Sequence, residues 1–193
     1  MSPLRSDAAW VAVAAERSAT AELQTFYEAN PDYFWLTQGR LPASDEAFQE
    51  FDARPPANMP YTALPMWLIR ERSSGQIVGE VSVAIDLLAA GVTHLGFFMI
   101  ATALHGSGFA AEVYASYEAW AIGIGARWLR LGVVEGNRRA HRFWLRHGYV
   151  EVLRRQDYVI GDLSHTLLVM VKPVPPHTID DYLARVPGDR ADS

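Results

Sequence analysis

There is no cysteine in the 193 residues. That single absence removes disulfides, thiolate zinc sites and a cysteine nucleophile together. No apolar run reaches the roughly 18 residues of a membrane span, and the opening MSPLRSDAAW has no signal-peptide core, so a cytoplasmic protein without a membrane partner is expected. Excess charge of one sign is missing as well: 17 basic against 22 acidic side chains give −5, with no like-charged run. Nucleic acid is therefore not an expected partner, while a mildly anionic surface favours a cationic amine. The six histidines lack the spacing of zinc sites, so no metal is expected. No Ser-His-Asp order with a nucleophile elbow points to a hydrolase. Internal repeats are absent too, and the length suits one domain with one sizeable core.

Half of the residues are hydrophobic, and their spacing alternates between strand and helix periods. Trp10–Ala15 reads as a strand. Ala19–Ala29 reads as a helix with Leu23, Phe26 and Tyr27 on one side, stopped by Asn30-Pro31. An aromatic piece, Asp32–Leu36, a turn over Gly39–Ala43, a helix capped by Ser44 through Phe51 and a proline-rich loop, Arg54–Pro60, follow. Leu64–Arg70 and Gln76–Ile85 form a hairpin, the second strand setting Val81, Val83 and Ile85 against Glu80, Ser82, Ala84 and Asp86 on the opposite face. Thr93–Ile100 is a strand. The helix from Gly108 to Ile124 carries a packing stripe of Phe109, Val113, Tyr117, Trp120 and Ile124. Trp128–Val134 reads as a buried parallel strand, Asn137 caps a helix that turns Ala140, Phe143 and Trp144 inward, and Gly148 ends it. Tyr149–Ile160 and Leu163–Lys172, joined at Gly161-Asp162, form a last hairpin. The reading gives one α/β domain over residues 1–172. After PVPPH, residues 173–193 read as a C-terminal tail whose IDDYLARV either docks on a neighbour or lies loose.

The chemistry concentrates in His105–Tyr149. In HGSGFA, Gly106 and Gly108 permit a tight turn and Ala110 and Ala111 keep the first helical turn thin, so the N–H groups of Ser107 to Ala111 can converge on one anion. The pattern Gly106-Ser107-Gly108-Phe109-Ala110-Ala111 satisfies G-x-G-x-x-A, which admits a dinucleotide oxidoreductase with Glu135 as the ribose acid. Five residues separate the strand from the first Gly, against that reading. His105-x-x-Gly108-x-Ala110, with Ile100 five residues upstream of His105, resembles the Gln/Arg-x-x-Gly-x-Gly/Ala loop of the GNAT acyltransferase superfamily. Asn137-x-x-Ala140-x-x-Phe143-Trp144-x-x-x-Gly148-Tyr149 is similar to its second block, Asn-x-x-Ala-x-x-Phe-Tyr-x-x-x-Gly-Phe.

The resemblance implies a GNAT fold: a mixed central sheet splayed between the strands near 93–100 and 128–134, with acetyl-CoA in the gap and an amine of a small molecule or peptide as acceptor of a direct acetyl transfer. It implies that backbone near Phe98, Met99 and Ile100 pairs with the pantetheine arm, that Ser107, Gly108, Phe109, Ala110 and Ala111 hold the pyrophosphate with a phosphate-side hydrogen bond from His105, that Asn137 faces the pantetheine or the thioester, and that Gly106 and Trp144 also belong to the cofactor site. Arg138, Arg139 and Arg142 face the 3′-phosphate or solvent. Two departures stand out. Trp144 occupies the place of the tyrosine acid that many relatives have, and an indole does not titrate; Gly132 occupies that of a glutamate base in some. His94 and Glu80 are the candidate replacements, Tyr149 reads as core, and a CoA-binding module with little turnover is the alternative. A homodimer is compatible with the sequence.

Overall fold

The computed structural model describes Leu4 and residues 9–191, so most of the stretch read for a signal-peptide core lies outside the described residues. The chain runs β1 (Trp10–Ala14), α1 (Thr20–Glu28), α2 (Asp32–Gln38), α3 (Glu46–Asp52), β2 (Met66–Glu71), β3 (Ile77–Ile85), β4 (Val92–Ile100), α4 (Phe109–Gly123), β5 (Trp128–Val134), α5 (Arg138–Arg146), β6 (Val150–Ile160), β7 (Leu163–Pro173) and α6 (Ile179–Arg185). The strands form one sheet in the order β1-β2-β3-β4-β5-β7-β6. Only β4 and β5 are parallel neighbours, and α4 provides their crossover. A doubly wound dinucleotide fold needs a run of parallel strands, so this topology removes the oxidoreductase reading. Glu135, its proposed ribose acid, pairs instead with Arg154 at 2.6 Å.

The two faces of the sheet are packed differently. Val81, Val83, Leu95, Leu129 and Leu131 face Val113, Tyr114, Tyr117 and Trp120 of α4, and Trp144 of α5 joins them. Leu68 and Met99 face the other way, onto Leu23, Phe26 and Tyr27 of α1 and Phe34 of α2. The period of two in β3 thus sends Glu80 and Ser82 towards α1–α3. The Asn137 cap holds: its Oδ1 accepts the Ala140 N–H at 3.1 Å, worth about 1 kcal/mol. Gly148, at φ +86°, terminates α5 in the left-handed conformation that favours glycine.

Several expectations are corrected. Ser44 does not cap α3; Asp45 holds that position and Glu46 accepts the Ala43 N–H at 2.9 Å instead. The aromatic piece is a full helix, α2, because Pro31 ends one helix yet suits the first turn of the next. On α4 the buried side takes in Tyr114 and Ala121, and Ile124 is exposed. Beyond Pro173 the chain is not loose: Thr178 and Asp181 form a capping box for α6, and Tyr182 and Val186 pack on Val92, Trp128 and Val171 of the same sheet.

Candidate active site

β4 and β5 run together only from Val92↔Trp128 to Leu95↔Leu131. Just beyond, Gly96 is an extra residue opposite β3, whose pairing steps from Val83↔Leu95 to Ser82↔Phe97. Such a bulge bends the strand. Gly132 to Val134 stay paired with β7, so the strands part into a fork. A cleft of about 1470 Å³ passes through it, taking in Gly106, Gly108 and Ala110 as well as Tyr33, Glu50, Arg130 and Arg155.

Gly106 and Gly108 have φ of +82° and +94°, and a Cβ on either would meet nothing within 4 Å. The space above the loop is therefore open. Of the amides expected to share an anion, three are occupied: Ser107 N–H donates to Leu104 O at 3.4 Å, Ala111 N–H to Gly108 O at 2.9 Å and Phe109 N–H to Ser107 Oγ at 3.2 Å. Those of Gly106, Gly108 and Ala110 have no acceptor among the described residues. His105 has no nitrogen left for a phosphate. Arg139 Nη1 donates to its Nδ1 at 2.8 Å, which leaves Nε2 to donate to Ile100 O at 3.0 Å. Burial and the Arg139 charge both push its pKa down. The bond also occupies the Ile100 carbonyl, so the free edge of β4 stops short of it.

On the α1–α3 side the cleft has an acidic wall. Tyr27 Oη donates to Glu80 Oε2 at 2.6 Å, and Ser82 Oγ lies 3.2 Å from Glu80 Oε1 and 3.1 Å from Glu50 Oε1. A hydroxyl has one proton and can serve only one carboxylate. Burial, then the charge of Glu50, pushes the Glu80 pKa well above the usual carboxylate range, against the pull of the Tyr27 and Ser82 hydrogen bonds. Glu50 is the end of this chain that lines the cleft, and burial raises its pKa against the pull of the Ser82 hydrogen bond. Ser82 pairs with Phe97, so this terminus sits beside the first residues past the fork.

The opposite wall is basic. Arg130 grips Asp189 through Nε at 2.8 Å and Nη2 at 3.2 Å, Arg155 Nη2 donates to the same carboxylate at 2.8 Å, and Tyr182 Oη does so at 2.5 Å. Burial alone would raise the Asp189 pKa, but the Arg130 hydrogen bonds and charge hold it below the ordinary value. His94, paired with Arg130 across β4 and β5, accepts from Arg130 Nη1 on Nδ1 at 3.2 Å. Burial and the guanidinium charge push its pKa down to about 3. Over the far end, the β6–β7 tip meets α2: His165 Nε2 donates to Thr37 O at 2.8 Å and Asp162 N–H to Gln38 O at 3.0 Å.

The profile of the acetyltransferase (GNAT) family matches residues 20–149. The chain belongs to that family. No curated protein sequence matches this GNAT chain. An acetyltransferase structure from Thermus thermophilus has a TM-score of 0.65 at 19% identity, covering 90% of this chain and 100% of that one. Spermidine N-acetyltransferase from Vibrio cholerae, in complex with CoA and spermine, has a TM-score of 0.64 at 16% identity over 86% of this chain and 96% of that one. Ribosomal-protein-S5-alanine acetyltransferase from Vibrio fischeri has a TM-score of 0.68 at 10% identity, covering 90% and 98%. Identities this low establish the GNAT fold alone.

Within this GNAT chain the expected residues divide. The loop from Gly106 to Ala111, Phe98, Met99, Ile100, Asn137 and Trp144 all border or support the fork. Trp144 packs edge-on to Phe98 at 5.5 Å, Tyr114 at 5.4 Å and Tyr149 at 5.5 Å. The Met99 side chain points into the α1–α2 cluster. Glu80 lies behind Ser82 instead of on the cleft surface, and His94 is a neutral acceptor for an arginine. Four cleft or supporting residues escaped the sequence: Glu50, Arg130, Arg155 and Asp189. Arg130 alone left a sign, as a charge inside the apolar run WLRLGVV that has to be paired.

Proposed function

We propose that the chain transfers an acetyl group from acetyl-CoA directly to an amine of a small molecule or peptide. The observation that carries this reading is the fork: β4 loses its parallel neighbour after Leu95, and three unengaged amides at Gly106, Gly108 and Ala110 stand at the mouth of α4. These residues fit coenzyme A. The amides suit the diphosphate, the free edge of β4 from Gly96 suits the amide groups of the pantetheine arm, and the exposed Arg138 and Arg142 are left for the 3′-phosphate, Arg139 being engaged by His105. Acetyl-CoA supplies the activated acyl group.

The protein's own work is to hold the acceptor and remove its proton. We assign this step to Glu50, which Ser82 steadies from behind with a hydrogen bond. His94 is left out of proton transfer because its pKa lies too low for a base near neutral pH. Trp144 fills space beside the fork and does not titrate, so thiol departure depends on the solvent and on orientation, which can supply roughly 7–11 kcal/mol.

The test is thiol release from acetyl-CoA with a panel of amines, alongside calorimetric CoA binding. Gly108→Val is expected to weaken CoA binding at least about tenfold, because it puts a side chain into the open cradle and strains a backbone at φ +94°. Glu50→Gln is expected to lower kcat by about 10²- to 10⁴-fold while CoA affinity stays within about twofold. Unchanged affinity in the first variant refutes the cradle. Saturable CoA binding with no turnover on any amine would make the chain a CoA-binding module.

A further inference from the structure

The two walls of the cleft carry opposite charge, and the basic one is not balanced. Among the described residues, Asp189 is the one carboxylate serving the two guanidiniums of Arg130 and Arg155. Arg130 spends Nε, Nη1 and Nη2 on Asp189 and His94. Arg155 spends only Nη2 there; its Nη1 has no acceptor among the described residues, and its side chain, 29% exposed, lines the cleft. The planar fork of an arginine suits a carboxylate. Both arginines line the same cleft as Glu50. Tyr158, Ile160 and Leu167 continue the wall around Arg155, and the contacts of α2 with the β6–β7 tip limit the room beyond.

We infer that the acceptor is a small zwitterion, an amine that also carries a carboxylate, in the manner of a free amino acid: its amine faces Glu50 beside the fork and its carboxylate takes the open donor edge of Arg155. A protein or peptide N-terminus fits less well, because the carbonyl next to its amine belongs to an amide and brings no negative charge to the arginine. The inference rests on the transferase reading and adds the substrate class. Arg155 is a binding residue here and takes no part in moving protons.

The experiment compares three forms of one acceptor, the free amino acid, its carboxamide and its decarboxylated amine, with rates corrected for the unprotonated fraction of each. The free amino acid is expected to exceed both others in kcat/KM by about 10- to 100-fold, the worth of a charge-assisted hydrogen-bonded pair. Arg155→Met should collapse that ratio to about 1 through KM, and Arg155→Lys should restore part of it. Equal or better use of the carboxamide or the plain amine by the unaltered protein overturns the inference while leaving the transferase reading intact. If none of the three releases thiol, the transferase reading fails for these acceptors. The seat for the anion is then judged by calorimetric titration of CoA-saturated protein, where equal or undetectable binding of amino acid and carboxamide overturns it and selective binding of the amino acid upholds it.

Discussion

Glu80 and Asp189 are both fully buried, and they flank the same cleft from opposite sides. Their surroundings could hardly differ more. Glu80 has neutral hydroxyls, from Tyr27 and Ser82, and a second carboxylate for neighbours. Asp189 has two guanidiniums and a phenol. Identical functional groups are therefore pushed in opposite directions, the Glu80 pKa upward because no cation offsets its desolvation, the Asp189 pKa downward because two do. The difference teaches that burial does not fix the charge of an acid; the partners do.

The largest test of this contrast is Asp189→Ala. It strands Arg130, itself only 5% exposed, without a counter-charge. A loss of about 3–5 kcal/mol is expected, seen as a fall in Tm of roughly 6–20 °C. A change within about 2 °C would mean that the ion pair contributes little. In the unaltered protein this contribution is present above the unfolded pKa of Asp, about 3.9, and is lost as pH falls through the lower folded value.

Glu80→Gln comes next and runs the other way. With its folded pKa raised, Glu80 contributes stability that is complete below the unfolded value of about 4.3 and declines as pH rises through the folded value. Glutamine keeps a neutral donor and acceptor but cannot ionise. The variant should match the parent at pH 4 and be the more stable by about 2–6 °C in Tm at pH 8. A constant gap across that range would show that the acid is ionised in the fold. The smallest effect belongs to His94→Gln, which retains an acceptor for Arg130 and should change stability by no more than about 1 kcal/mol. Because His94 is neutral throughout, the acid limb of the pH–rate profile should keep its midpoint in this variant; a displaced limb would return His94 to the list of bases.

The glycine loop and the cap of α5 were legible in the sequence because backbone geometry writes itself into residue type. Left-handed turns at Gly106, Gly108 and Gly148 demand glycine, and the start of α5 demands a capping side chain such as Asn137. The loop amides were over-counted, since whether Ser107 N–H turns inward to Leu104 depends on coordinates that no pattern of letters carries. The charged walls of the cleft were mostly invisible. Glu50 looks like any surface acid on a short helix, and only the fold brings it to Ser82. Asp189 lies in what read as a tail, although the Thr178-x-x-Asp181 cap ahead of IDDYLARV announced an ordered helix.

The clasp between α2 and the β6–β7 tip reaches across 128 residues of sequence. The wall it closes therefore has no local origin. A fragment beginning after Gln38 keeps the glycine loop, the fork and both arginines, yet has nothing for Gly161 to rest on and neither Tyr33 nor Thr37 to floor that end. Such a fragment would carry the whole loop while the far end of the cleft lost its floor: that end belongs to the assembled whole, whereas the loop is written in one contiguous stretch.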